Sequence, residues 1–168
     1  MPAEDAPFVV TLALPDGVQE ELDGLRRQHF PAGRTAVGAH LTLFHAVPAG
    51  LEDRVRADLA AVASPGPVAL RFTGVLSLGR GAAYAVSSPD LARRHDELQR
   101  GWWTNLTRQD QQRLRAHVTL QNKVEPAVAR ATVEALRAGF HPFDVEAPGF
   151  DLWRYVGGPW THVERFGA

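Results

Sequence analysis

His40-Leu41-Thr42-Leu43 returns later in the chain as His117-Val118-Thr119-Leu120, and these two segments decide how the whole sequence is read. Each alternates polar and aliphatic residues, the period of a β-strand, so His and Thr share one face and the aliphatics share the other. Each strand is expected to press its aliphatic pair into a core and to aim an imidazole and a hydroxyl at a common opening. One such segment is only a half-buried strand with a solvated polar face. Two of them, at matching places in a duplicated arrangement, need another explanation.

Working outward, the order of elements nearly repeats. Phe8 to Leu14 reads as a β-rich run, followed by a helix with apolar positions at Val18, Leu22 and Leu25. The strand His40 to Val47 leads to a helix carrying Leu51, Val55, Leu59 and Val62, and Val68 to Leu78 is a third strand. Ala82 to Val86 then starts the cycle again across a Gly-Arg-Gly turn. Ser88-Pro89 opens a helix as N-cap and first helical residue. His117 to Val124 is the matching strand, Pro126 begins the last helix, and Phe150 to Val156 with Trp160 to Phe166 form a closing hairpin. The pattern predicts two pseudo-symmetric lobes, a pseudo-twofold pair of sheets with equivalent strands beside one shared cleft. It forms one bilobal domain over 1–168, with pseudo-repeats at about 8–78 and 82–156.

Composition bounds the chemistry. The chain has 168 residues, 45% hydrophobic and 22% charged, as in ordinary globular proteins. It has no cysteine, which excludes disulfides, thiolate metal sites and thiol nucleophiles. A net charge of −1 argues against a long nucleic-acid footprint but not against a pocket for one or two phosphates. The N-terminus lacks a basic, signal-like region and no apolar run reaches membrane-spanning length, so a cytoplasmic protein is expected. Lys123 is the only lysine among 18 Lys+Arg.

The residue types suit cleavage of a phosphodiester. Histidine titrates near neutrality, so one imidazole can accept a proton while the other donates one. Threonine hydroxyls can hold non-bridging phosphate oxygens from both sides. The sequence has no HExxH and no acidic cluster at ligand spacing, so no metal and no cofactor are expected. His45 is the histidine nearest either motif, and alternation sends it to the face opposite His40.

The paired HLTL and HVTL motifs, their spacing and the element order resemble the 2H phosphoesterase superfamily. Within it they resemble the 2′-5′ RNA ligase-like, RNA 2′,3′-cyclic phosphodiesterase branch, from Phe8 to about Phe166. The resemblance implies an α+β fold with two pseudo-symmetric lobes of antiparallel sheet, outer helices and a central cleft, with one His-x-Thr from each lobe facing inward. It implies that a 2′,3′-cyclic phosphate is opened to a 2′-phosphomonoester. His40 would be the proton donor to the leaving 3′ oxygen, His117 the proton acceptor that activates water, and Thr42 and Thr119 the phosphate donors. The substrate partner would be an RNA 3′ end or a small cyclic nucleotide, with no membrane and no obligate protein partner. The chain departs from relatives at Asn122, where many carry arginine, and at His45, where an aromatic is common.

Beyond the motifs, a regular continuation of the second strand would put Lys123 on the His117 face, pointing at the phosphate; an exposed strand-end lysine is the alternative. Phe44 lies on the His40 face and is a candidate for stacking on a base, with core packing the alternative. Tyr84 is a second stacking candidate and Arg154 a candidate cleft residue. The four tryptophans are expected to be core or cleft-wall packing. His29, His95, His141 and His162 are taken as surface or capping residues, and Arg93-Arg94 as a solvated face. The same chemistry on another cyclic phosphate (ADP-ribose-derived or a cyclic nucleotide), and a non-catalytic module binding RNA ends, are the rival readings.

Overall fold

In the computed structural model, residues 2–31 and 37–167 are described. The strands are β1 (Phe8–Leu12), β2 (Leu41–Val47), β3 (Val68–Ser77), β4 (Ala82–Ser87), β5 (His117–Gln121), β6 (Phe143–Ala147), β7 (Gly149–Arg154) and β8 (Thr161–Gly167). The helices are α1 (Asp16–His29), α2 (Glu52–Ala63), α3 (Pro89–Trp102) and α4 (Pro126–Gly139). Ser88 caps α3 as its sequence suggests, its hydroxyl accepting from the Leu91 amide at 3.0 Å with Pro89 at the first helical position.

The strands form two antiparallel four-stranded sheets, in the orders β2-β1-β7-β8 and β5-β4-β3-β6. The fold is α+β, as expected. Each His-x-Thr strand is the edge of its sheet, next to the strand that precedes it in sequence, and the two edges approach each other. The sheets do not coincide with the two sequence repeats. β3, the third strand of the first repeat, pairs with β4 and β6, while β7 from the end of the chain pairs with β1. Each sheet is therefore assembled from both ends of the sequence or across its middle.

Both motif strands carry a β-bulge at the same place. Thr11 opposes Thr42 but Val10 opposes Phe44, so Leu43 and Phe44 share one partner position. Ala83 opposes Thr119 but Ala82 opposes Gln121, so Leu120 and Gln121 do the same. A bulge inserts a residue and reverses the in–out alternation beyond it. Burial follows: Phe44 (0% exposed) and Gln121 (2%) turn inward, although plain alternation puts both on the histidine face.

Several expectations change accordingly. Phe44 is core, stacked on His95 at 4.7 Å and tilted against Trp102 at 5.0 Å, and has no surface to offer a base. Tyr84 is 8% exposed and packs on Phe72 and Phe140. Its partner across the ladder is Val118, so it faces away from His117 and is no stacking platform. His95 is buried, and Arg94 holds Asp90 and the carbonyls of Val62, Gly66 and Pro67 instead of lying in solvent. Arg154 is a clamp for the N-terminal segment, paired with Glu52 at 2.8 Å and stacked over Phe8, and is absent from the cleft lining.

Candidate active site

The cleft is built on two hydrogen bonds of one kind. His40 Nδ1 lies 2.7 Å from the Gly38 carbonyl oxygen, and His117 Nδ1 lies 2.6 Å from the Arg115 carbonyl oxygen. A carbonyl only accepts, so each Nδ1 carries the proton and each Nε2 is left for chemistry. In both motifs the ring is anchored to the residue two positions before it, which fixes tautomer and direction together. His40, Thr42, His117 and Thr119 line one cavity of about 320 Å³, with Leu43, Leu114 and Trp160 as its apolar wall. No hydrogen bond among the described residues engages the hydroxyl of Thr42 or Thr119. Opposite His117 and Thr119 stand Ala85 and Ala83, whose short side chains keep that wall of the cleft low.

Burial pushes the His40 imidazole below its ordinary range, partly offset by the Gly38 bond; the charges of Arg26, His45 and His117 press in the lowering direction too. The neutral form of His40 is therefore favoured. An anion placed between the rings acts oppositely, since negative charge stabilises an imidazolium.

A second, more open groove of about 1010 Å³ shares His40 and Thr119 with the first and is lined by Arg26, Phe30, Arg80, Asn122 and Lys123. Lys123 does not arrive there on a continuing strand. β5 ends at Gln121, and Lys123 follows in a left-handed backbone conformation, φ 61°. Arg80 clasps this turn: its carbonyl accepts from the Val124 amide and its Nε donates to the Val124 carbonyl, both at 3.0 Å. A Cβ on Gly81 would collide with the Gln121 carbonyl oxygen, so only glycine lets the β3–β4 hairpin close on the bulge.

Trp160 takes the cleft-wall place that was one of the two expected of the tryptophans, while sequence reasoning missed two cleft residues, Arg26 and His45. Trp160, whose ring centroid is 4.7 Å from that of His40, lies just before β8, which begins at Thr161. Arg26, 6% exposed, reaches from α1 to the carbonyls of Thr119 at 2.7 Å and Val37 at 3.1 Å. Its position in the helix pattern gave no sign of a partner in the other sheet. His45 lines the main cavity because the bulge carries it to the cleft side, against the alternation argument. Its Nδ1 lies 3.0 Å from Asp110 Oδ1, and the buried Asp110 also accepts from the His45 and Ala46 amides. Burial raises the Asp110 carboxyl, but these hydrogen bonds outweigh it and leave it below the ordinary value.

The family model of the 2′-5′ RNA ligase superfamily matches this chain over residues 14–159, a span that holds both His-x-Thr strands. The chain belongs to that superfamily, a group of 2H phosphoesterases. No curated protein matches this superfamily member. Its fold is similar to that of TT0787 of Thermus thermophilus, with 18% identity, 96% of this chain and 97% of that one covered, and TM-score 0.67. It is also similar to E. coli LigT complexed with 3′-AMP, with 20% identity, 97% and 98% covered, and TM-score 0.66. No helix is long and apolar enough to cross a membrane among the described residues.

Proposed function

We propose that this superfamily member is a metal-independent cyclic phosphodiesterase that opens RNA-type 2′,3′-cyclic phosphates to 2′-phosphomonoesters. The observation that carries the reading is the matched pair of carbonyl-anchored imidazoles, each with a free Nε2 in one cavity with two unengaged threonine hydroxyls. In this reading Thr42 and Thr119 donate to the non-bridging oxygens. Water attacks phosphorus and gives its proton to His117 Nε2. The bond from phosphorus to O3′ breaks, and His40 Nε2–H passes its proton to that oxygen, leaving phosphate on O2′. Both rings end in the opposite protonation state and exchange the proton with solvent before the next turnover.

The protonated state required of His40 is opposed by burial and favoured by a phosphodiester anion placed between the rings. His40 thus becomes an acid chiefly when substrate is present. Lys123, beside His40 and Thr119, supplies positive charge along the path of the phosphate. That LigT was crystallised with 3′-AMP is in keeping with a nucleotide-sized ligand for this chain too.

The test is product analysis of a short oligonucleotide ending in a 2′,3′-cyclic phosphate, incubated in EDTA with wild type, His40→Ala and His117→Ala. A 2′-phosphate from wild type alone is expected. Full activity in either variant, or activity only after metal is restored, would overturn the mechanism. Binding of the oligonucleotide without any product would favour a module that recognises RNA ends.

A further inference from the structure

Besides His40 and His117, the main cavity is lined by His45, Arg113 and Arg115, together with Gln109 and Gln112. Among the described residues the only acid lining it is Asp110, and that carboxylate is already committed to the His45 ring and to the amides of His45 and Ala46. Arg113 and Arg115 make no hydrogen bond or ion pair through their side chains among the described residues, and both are exposed. Other arginines of this protein, such as Arg56, Arg71, Arg94 and Arg165, hold carboxylates. His45 spends Nδ1 on Asp110, which leaves Nε2 uncommitted on a ring that is half exposed to the cavity. In its imidazolium form such a ring has two N–H groups to give, one to Asp110 and one to an anion.

We propose that His45, Arg113 and Arg115 form a second phosphate subsite, so that the preferred substrate carries a further phosphate, esterified at its 5′ oxygen, besides the cyclic one. The proposal rests on the cyclic-phosphodiesterase reading for its substrate but not for its binding chemistry. Asp110 acts here as a positioning residue: it fixes the His45 ring on the bulge through Nδ1 and the His45 amide. His45, Arg113 and Arg115 line the main cavity, whereas Lys123 and Arg80 line the second groove, so the two groups are separately removable.

The experiment compares kcat/KM for three substrates: a nucleoside 2′,3′-cyclic phosphate with free 5′-OH, the same nucleotide with a 5′-monophosphate, and a dinucleotide ending in the cyclic phosphate. Wild type is run beside His45→Phe and the double variant Arg113→Ala/Arg115→Ala, whose changes lie on exposed side chains. Wild type should prefer a 5′-phosphorylated substrate by about tenfold or more, the worth of one charge-assisted hydrogen bond. Both variants should bring that ratio towards one. Preference for the monophosphate over the dinucleotide assigns a terminal phosphate, and the reverse assigns an internucleotide one. No preference in wild type, or a preference unchanged in both variants, overturns the subsite. Should no substrate turn over, the activity reading has failed, and calorimetric binding of inorganic pyrophosphate decides the subsite alone: affinity lost in both variants supports it, and affinity equal to wild type overturns it.

Discussion

Arg26 Nη1 donates a 2.7 Å hydrogen bond to the carbonyl oxygen of Thr119, so a helix that joins two strands of one sheet grips the motif strand of the other. The exchange is reciprocal. His95, on the helix that joins β4 and β5, places Nε2 3.2 Å from the Leu43 carbonyl oxygen on β2. Each motif strand is an edge, with unpaired backbone groups on its outer side, and each is covered by a side chain from the other motif's helix. The two His-x-Thr segments are thereby held in one relative position.

Arg26→Ala should therefore cost more than an ordinary surface change. It strips a buried donor from two carbonyls, worth about 1.5–3 kcal/mol for bonds from a charged group. Urea denaturation checks the stability. Arg26→Lys should recover only part of it, because an ammonium cannot fork between two acceptors as a guanidinium does.

Phe44→Ala should unfold the protein more readily and do little to nucleotide recognition directly. A fully buried aromatic removed from the stack with His95 and Trp102 leaves a cavity, at a cost of about 3–5 kcal/mol. Phe44→Leu should cost markedly less. If KM changed with stability intact, the placement of Phe44 in the core would be wrong.

The His40 ring should titrate below about 6.5, the ordinary imidazole value, because burial disfavours its charge. Nuclear magnetic resonance titration, with the His40 signal assigned by its loss in His40→Ala, reads this directly. Adding a nucleoside 2′-monophosphate should move the midpoint upward. A midpoint unmoved by the ligand would separate His40 from the phosphate.

Stability should fall as the pH is lowered through the histidine range. His40 and His95 both have folded values depressed by burial, so folding favours their neutral forms. The unfolded chain binds more protons below about 6.5. Their contribution is complete above that value and is lost as pH falls towards the folded values. Urea midpoints at pH 7.5 and 5 should differ in that sense, and His95→Phe should narrow the gap. A midpoint that rose on acidification would contradict the assigned direction.

Thr42→Val and Thr119→Val should each lower kcat with the fold kept, since each deletes one donor to the phosphate and preserves shape. Loss of a single such donor is worth about 10²-fold or more in related charge-stabilising sites. Steady-state kinetics beside a thermal melt distinguishes this from unfolding. Unchanged kcat in both variants would remove the threonines from the mechanism.

By itself the sequence determined the α+β class, the twofold order of elements and the superfamily. Leu41 and Val118 belong to the core and His40 and His117 to a cleft because local alternation holds from the histidine as far as the threonine of each motif. Only the tertiary structure decided where the residues beyond the two threonines point. A bulge depends on how two strands pair, and no single strand's pattern announces it. At Leu43–Phe44 it sent Phe44 inward and His45 to the cavity; at Leu120–Gln121 it buried Gln121 and released Lys123 into a turn. Partners far apart in sequence, Arg26 with Thr119 and His45 with Asp110, were equally out of reach of periodicity. Local chemistry specifies which face a residue prefers, whereas pairing between distant strands sets where that preference is reversed.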